Sequence, residues 1–170
     1  MAKEKNDISK TNVARLLDKA GIQYKLVPYP VDENNLAAQH IADVLGEDIN
    51  RVFKTLVLQA DKGYHCVCVV PGNTEVDLKK TAKAAGKKKV EMIPLKELLP
   101  LTGYIRGGCS PIGMKKPFET FFHVTALNFD TIYVSAGMRG LQLMIAPQSL
   151  IDYVGAKVAD IATDLDNDNE

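Results

Sequence analysis

Tryptophan is absent from the 170-residue chain, and aromatic residues of all kinds make up only 6% of it. A core with few large rings must be aliphatic, and the 46% of residues that are hydrophobic are enough to supply one. Net charge is absent as well, since 21 Lys and Arg balance 21 Asp and Glu. That excludes a polyanion binder working by bulk positive charge. Three cysteines are too few, and odd in number, for a disulfide framework. No apolar run approaches a membrane span, and Met1 to Lys10 has no apolar stretch of the kind a secretory signal needs. These absences describe a cytoplasmic protein with reduced thiols and no membrane partner. Its length suits one domain and would cramp two.

The zero charge hides an asymmetry. Asp160, Asp164, Asp166, Asp168 and Glu170 crowd the last eleven residues, which carry no base. The preceding 159 residues hold 21 basic and 16 acidic side chains, a net charge of +5. The reading is a mildly basic domain over residues 1–162 and an acidic, disordered tail over 163–170.

Val13, Leu16, Leu17 and Ala20 recur at helical spacing and stop at Gly21. Ile22 to Tyr29 reads as a strand. Ala37, Ile41, Val44 and Leu45 form a second helical stripe ending at Gly46. Arg51 to Ala60 is nearly all apolar and reads as a central strand buried on both faces. Asp61-Lys62-Gly63 turns it back into a second strand, Tyr64 to Val70. Leu78 to Ala85 is a short helix, Lys88 to Ile93 a short strand, and Leu95 to Leu99 a helical turn or two. Thr102 to Gly113, rich in Gly and Pro, is irregular. Strands follow at Phe121 to Val124, Thr131 to Ser135 and Leu141 to Ala146, the last two joined by a turn at Gly137 to Gly140. A helix starts at Pro147. Hairpins interspersed with helices predict one mixed α/β domain with a mixed, mostly antiparallel sheet.

Lys54 is the one charge within the apolar run from Val52 to Leu58. An ammonium there must reach water, a carboxylate or an anionic ligand, because burial without a partner is costly. It is a candidate ligand-binding residue or a snorkelling lysine at a strand end. Gly107-Gly108-Cys109-Ser110-Pro111-Ile112-Gly113 could bring backbone amides against an oxyanion. It is not a P-loop, since Met114 stands where the lysine belongs. Cys109 has Arg106 and Lys115 nearby in sequence, which would lower a thiol pKa, but no histidine at a recognisable spacing to act as its base. Cys66 and Cys68 alternate on a strand and read as buried, and with His65 they lack a second ligand pair, so no metal is expected. Lys79, Lys80, Lys83, Lys87, Lys88 and Lys89 form a basic cluster, either a phosphate-backbone surface or a solvated face. Gly137-Met138-Arg139-Gly140 has the G-x-x-G form of a nucleic-acid clamp, but its strand-turn-strand setting makes it a hairpin turn.

Four blocks occur in order: Phe53-Lys54-Thr55-Leu56-Val57, Lys87 to Met92, Thr102-Gly103-Tyr104 with Gly107 to Gly113, and Ile132 to Leu141. Together they resemble the YbaK/EbsC family of free-standing Cys-tRNA(Pro) deacylases, which is similar to the editing domain of bacterial prolyl-tRNA synthetases. The resemblance implies a compact mixed α/β domain with a partly barrelled sheet and peripheral helices. It implies hydrolysis of cysteine wrongly attached to tRNA(Pro), with no cofactor, and prolyl-tRNA synthetase as a candidate partner. Lys54 matches the family's essential lysine. Tyr29, Thr55, Gly107, Gly108, Ser135 and Gly137 fall on the implied substrate-binding set. Gln142 stands where some relatives have Asp, and the Asn34 to Gly46 stretch differs in length, so no pocket residue is carried from it. Within the same fold, Ala-tRNA(Pro) editing and a non-catalytic tRNA- or synthetase-binding module remain open.

Overall fold

The computed structural model describes residues 11–163. The first helix, α1 (Asn12–Ala20), is capped by Thr11, whose Oγ1 accepts from the Ala14 N–H, and ends at Gly21 in the left-handed region. Thr11 also donates to the Ala136 carbonyl at 2.7 Å, which pins the helix to a distant strand. Strand β1 (Lys25–Pro28) and helix α2 (Ala38–Leu45) follow. A 3-10 turn at Ile49–Arg51 leads into β2 (Phe53–Ala60), which pairs along its length with β3 (Tyr64–Pro71). Helix α3 (Leu78–Ala85), strand β4 (Glu91–Met92) and helix α4 (Leu98–Thr102) come next. The chain closes with β5 (Glu119–His123), β6 (Ile132–Met138), β7 (Leu141–Ile145), helix α5 (Pro147–Val154) and β8 (Lys157–Ala159).

The strands make two sheets, ordered β1-β7-β6 and β4-β2-β3-β5-β8. Four of the six pairings are antiparallel, and β3-β5 and β5-β8 are parallel. This is the expected mixed α/β domain, its helices at the periphery. The sheets meet at a parallel bridge between Val52 and Tyr133 and are not closed into a barrel. Alternation explains how the larger sheet is buried on both faces. Phe53, Val57, Val67, Val69 and Phe122 face the smaller sheet together with α1 and α5. Leu58, Cys66, Cys68, Val70 and Phe121 face the other way, under Ala82 of α3. A smaller cluster joins Ile41 and Ala42 of α2 to Val52 and Tyr133.

Several expectations are revised. The first strand is shorter than Ile22 to Tyr29, and β4 keeps only two residues of Lys88 to Ile93. Strand β6 runs on to Met138 through a register shift between Ser135 and Met138, so Gly137 lies in an irregular strand and not in the turn. Strand β8 has no counterpart in the sequence reading, because three residues, two of them exposed, carry no periodic signal. The tail expected from 163 lies, from residue 164, outside the described residues. Thr163 itself is held by Glu75, its N–H donating to the Glu75 carbonyl at 2.8 Å.

Candidate active site

The site begins with an unpaired edge. Strand β2 contacts β4 only at Leu58 and Gln59. The Val52 carbonyl accepts from the Gly72 N–H at 2.7 Å. In the antiparallel alternation, Lys54, Leu56 and Leu58 then exchange hydrogen bonds with β3, and Thr55 and Val57 aim their peptide groups the other way. The Ile93 N–H donating to the Val57 carbonyl at 3.3 Å fits that pattern. Between this contact and the bridge at Val52, the edge around Thr55 opens into a cleft of ≈ 510 Å³. The expectation of a strand buried on both faces therefore fails for its first half, which is only partly buried at Lys54, Thr55 and Leu56.

Four other segments complete the cleft. Leu36, Ala37, Ala38 and Ile41 come from α2 and the loop before it, and Ile93, Leu95 and Leu98 from the segment after β4. Arg106, Gly107 and Cys109 come from the glycine loop, and Ser135 and Gln142 from the smaller sheet. Helix α2 is held in place from its far end. Glu47 accepts from the Tyr133 hydroxyl at 2.7 Å and from Arg51 at 3.2 Å, while Arg51 lies over the Tyr133 ring.

Lys54 borders the cleft, half-buried, with no carboxylate at ion-pair distance among the described residues. Burial lowers its pKa, and the charge of Glu75 acts in the opposite direction. Thr55 Oγ1 and Gln142 Oε1 are buried without a hydrogen-bond partner. Gln142 is only 3% exposed, so an unmet acceptor there is costly. Ser135 Oγ accepts from the Gly137 N–H at 3.1 Å.

Gly107 has a φ of 86°, and a Cβ there would meet Arg139 Nε and Leu36 Cδ2, each at 3.3 Å. Arg139 Nε in turn donates to the Arg106 carbonyl at 2.8 Å, clamping the loop. Cys109 is buried, and burial pushes its thiol up to about 12. The cations near it in sequence do not offset this burial: Lys115 donates to the Pro100 carbonyl.

The predicted residues thus divide. Lys54, Thr55, Gly107 and Ser135 converge on the cleft. Tyr29, Gly108 and Gly137 are not part of its wall. Tyr29 packs in the cluster of Ile41 and Val52, with its N–H on the Gly140 carbonyl. The Gly108 N–H closes a turn onto the Ile105 carbonyl, and Gly137 orients Ser135. Sequence reasoning missed Leu36, Ile41 and the apolar wall from Ile93 to Leu98. The helical spacing of Ile41, Leu95 and Leu98 signalled burial, and nothing in it distinguished a cleft from a core.

Among the described residues neither a carboxylate nor a histidine borders the cleft, and two cations do, Lys54 and Arg106. Among the described residues no cluster of three His, Cys, Asp or Glu could hold a metal ion. The arrangement suits a ligand with an anionic end. It supplies no acid–base pair of its own.

Residues 32–153 match the family model of the aminoacyl-tRNA editing domain, and the chain belongs to that family. Within it, the chain is 47% identical over 96% of its length, and 99% of the relative's, to an Enterococcus faecalis protein, EbsC, named as a proposed Cys-tRNA(Pro)/Cys-tRNA(Cys) deacylase. It is 25% identical to the uncharacterised Bacillus subtilis protein YwhH, over 75% of this chain and 80% of that one. Among solved structures it is similar to a proposed trans-editing enzyme for prolyl-tRNA synthetase, with a TM-score of 0.79, 25% identity and coverage of 92% and 100%. The hypothetical protein APE2540 shares the fold, with a TM-score of 0.83 at 23% identity and coverage of 90% and 100%.

Proposed function

We propose that the protein is a free-standing aminoacyl-tRNA deacylase that clears cysteine from tRNA(Pro) in the cytoplasm, acting after prolyl-tRNA synthetase has released the wrong product. The observation that carries this reading is a cleft that borders the open edge of β2 and carries two cations, with no carboxylate or histidine among its described lining residues. The names of the 47% identical relative and of the trans-editing structure support it. Cysteine and proline are similar in volume, and a synthetase pocket gains only about 1–3 kcal/mol from a methylene-sized difference, so errors need later removal.

A cleft without a base suits a substrate that brings its own nucleophile. The cysteinyl sulfur attacks its own ester carbonyl, the bond to the terminal ribose oxygen breaks, and the thiol proton passes to that oxygen. The cyclic thioester then hydrolyses in water. The protein's share is positioning and charge. Lys54 and Arg106 hold the terminal phosphate or polarise the ester, and the open peptide groups at Thr55 and Gly107 face the carbonyl oxygen.

A deacylation assay with tRNA(Pro) charged with Cys, Ala, Ser or Pro tests the reading. The cysteinyl form should be cleaved at least about a hundredfold faster than the seryl form, whose hydroxyl is a far weaker nucleophile at neutral pH. Equal cleavage of alanyl- or seryl-tRNA(Pro) would overturn the thiol-assisted mechanism. Binding without turnover of any of the four would make the cleft a recognition module.

A further inference from the structure

The tip of the hairpin between β6 and β7 lies against the glycine loop without lining the cleft. It is held from both sides. Thr11 Oγ1 donates to the Ala136 carbonyl at 2.7 Å, and the Tyr29 N–H donates to the Gly140 carbonyl at 2.9 Å. Its contact with the loop is backbone on backbone. A Cβ at Gly108 would stand 3.1 Å from Arg139 N and 3.1 Å from Met138 Cα. Arg139 has no carboxylate at ion-pair distance among the described residues. Its side chain is instead committed to a neutral acceptor, Nε donating to the Arg106 carbonyl at 2.8 Å.

That carbonyl belongs to the central peptide of a turn. The Gly108 N–H donates to the Ile105 carbonyl at 2.9 Å, which closes residues 105–108 into a β-turn. Its third residue, Gly107, has a φ of 86°. A positive φ there marks a type II turn, where type I would need about −90°. The two types differ in the direction of the peptide between Arg106 and Gly107, and glycine in the third position leaves both open to the chain. In a trans peptide the carbonyl and the N–H point in opposite directions. With the oxygen on Arg139, the Gly107 N–H is turned away from Arg139. That N–H has no acceptor among the described residues. Gly107 borders the cleft, and Arg139 is not part of its wall.

We propose that Arg139 is a positioning residue for the deacylation proposed above, a reading on which this inference rests. By holding the Arg106 carbonyl it keeps the turn in its type II form and the Gly107 N–H directed into the cleft, as the donor to the ester carbonyl oxygen. If the peptide flipped, a carbonyl oxygen would face the developing negative charge in place of an N–H, and the interaction would change from attraction to repulsion. The role needs a donor at the position of Nε and does not need the charge of the guanidinium.

Arg139→Gln and Arg139→Met separate the bond from the charge, since both remove the charge. Glutamine carries its amide nitrogen as many bonds from Cα as arginine carries Nε, whereas methionine has no donor. In steady-state deacylation of Cys-tRNA(Pro), Arg139→Met should lower kcat about 10–100-fold with KM within about twofold of the parent, and Arg139→Gln should regain most of that loss. A second readout needs no substrate. The Arg106 Hα lies closer to the Gly107 amide proton in a type II turn than in type I. Their nuclear Overhauser effect should be strong in the parent and in Arg139→Gln, and weak in Arg139→Met. Equal loss of kcat in both variants, as a merely structural or electrostatic role would give, overturns the proposal. So does a parent-like kcat or an undiminished Overhauser effect in Arg139→Met. A parent inactive on Cys-tRNA(Pro), with the Overhauser effect still lost in Arg139→Met, would sink the deacylase reading and support the hold of Arg139 on the turn.

Discussion

Lys54 sits where its charge is penalised by burial and relieved only by Glu75, a poor position for a residue kept for stability. Lys54→Ala should therefore leave the unfolding free energy within about 0.5 kcal/mol of the parent in urea melts. It should slow deacylation of Cys-tRNA(Pro) by about 10²–10³-fold, the scale of losing one preorganised charge. Near-parent turnover would remove Lys54 from the site. Cys109 makes the opposite case. Its thiol is pushed up to about 12, so it stays protonated through the neutral range and is no nucleophile there. If it were one, the rate would climb with pH towards that value. The expected result is that Cys109→Ala keeps most activity and an unchanged pH–rate profile from about pH 6 to about pH 9. Loss of activity in this variant, with trapping of an acyl-enzyme in the parent, would reverse the assignment.

At the scale of elements, the cleft depends on how closely α2 approaches the hairpin of β2 and β3. Gly72 is the contact point. A Cβ there would lie 2.3 Å from Ala38 Cβ and 3.0 Å from the Val52 carbonyl oxygen, so one of these elements must move. Gly72→Ala should cost about 1–3 kcal/mol, the range of overpacking, and depress deacylation by displacing the α2 wall. Adding Ala38→Gly removes the nearer clash, and the pair should show a favourable coupling of at least about 0.5 kcal/mol in a double-mutant cycle of urea melts. Additivity of the two changes would show that the helix does not rest on Gly72.

For the molecule as a whole, the charge pattern acquires a geometry that composition could not supply. Lys80 is bound to Asp160, and Lys87 lies 4.4 Å from the centroid of the Tyr64 ring, so two members of the basic cluster are engaged. The cleft offers Lys54 and Arg106. Two to four neutralised phosphates give a slope of about −2 to −4 for log affinity against log salt with tRNA(Pro). Lys83→Glu with Lys89→Glu should bring the slope to about −2 if α3 and the segment after it touch RNA. An unchanged slope would confine RNA to the cleft.

The sequence alone determined much of this protein. Helices with apolar stripes and glycine stops were legible at α1, α2 and α3, because a 3.6-residue period and a left-handed cap are local properties. The anomaly of Lys54 was legible too, since a charge in an apolar strand stands out before any packing is known. Strand β8, three residues of which two are exposed, and the exact span of β6 were not, because parallel pairing and bulges are set by distant partners. Only the tertiary structure decided that β2 is open on one edge, and that Gln142 borders the same cleft as Thr55 with its acceptor unmet. Likewise, Cys109, flanked by cations in the chain, is governed by burial in the fold, because its environment comes from side chains packed in space and not from those adjacent in sequence.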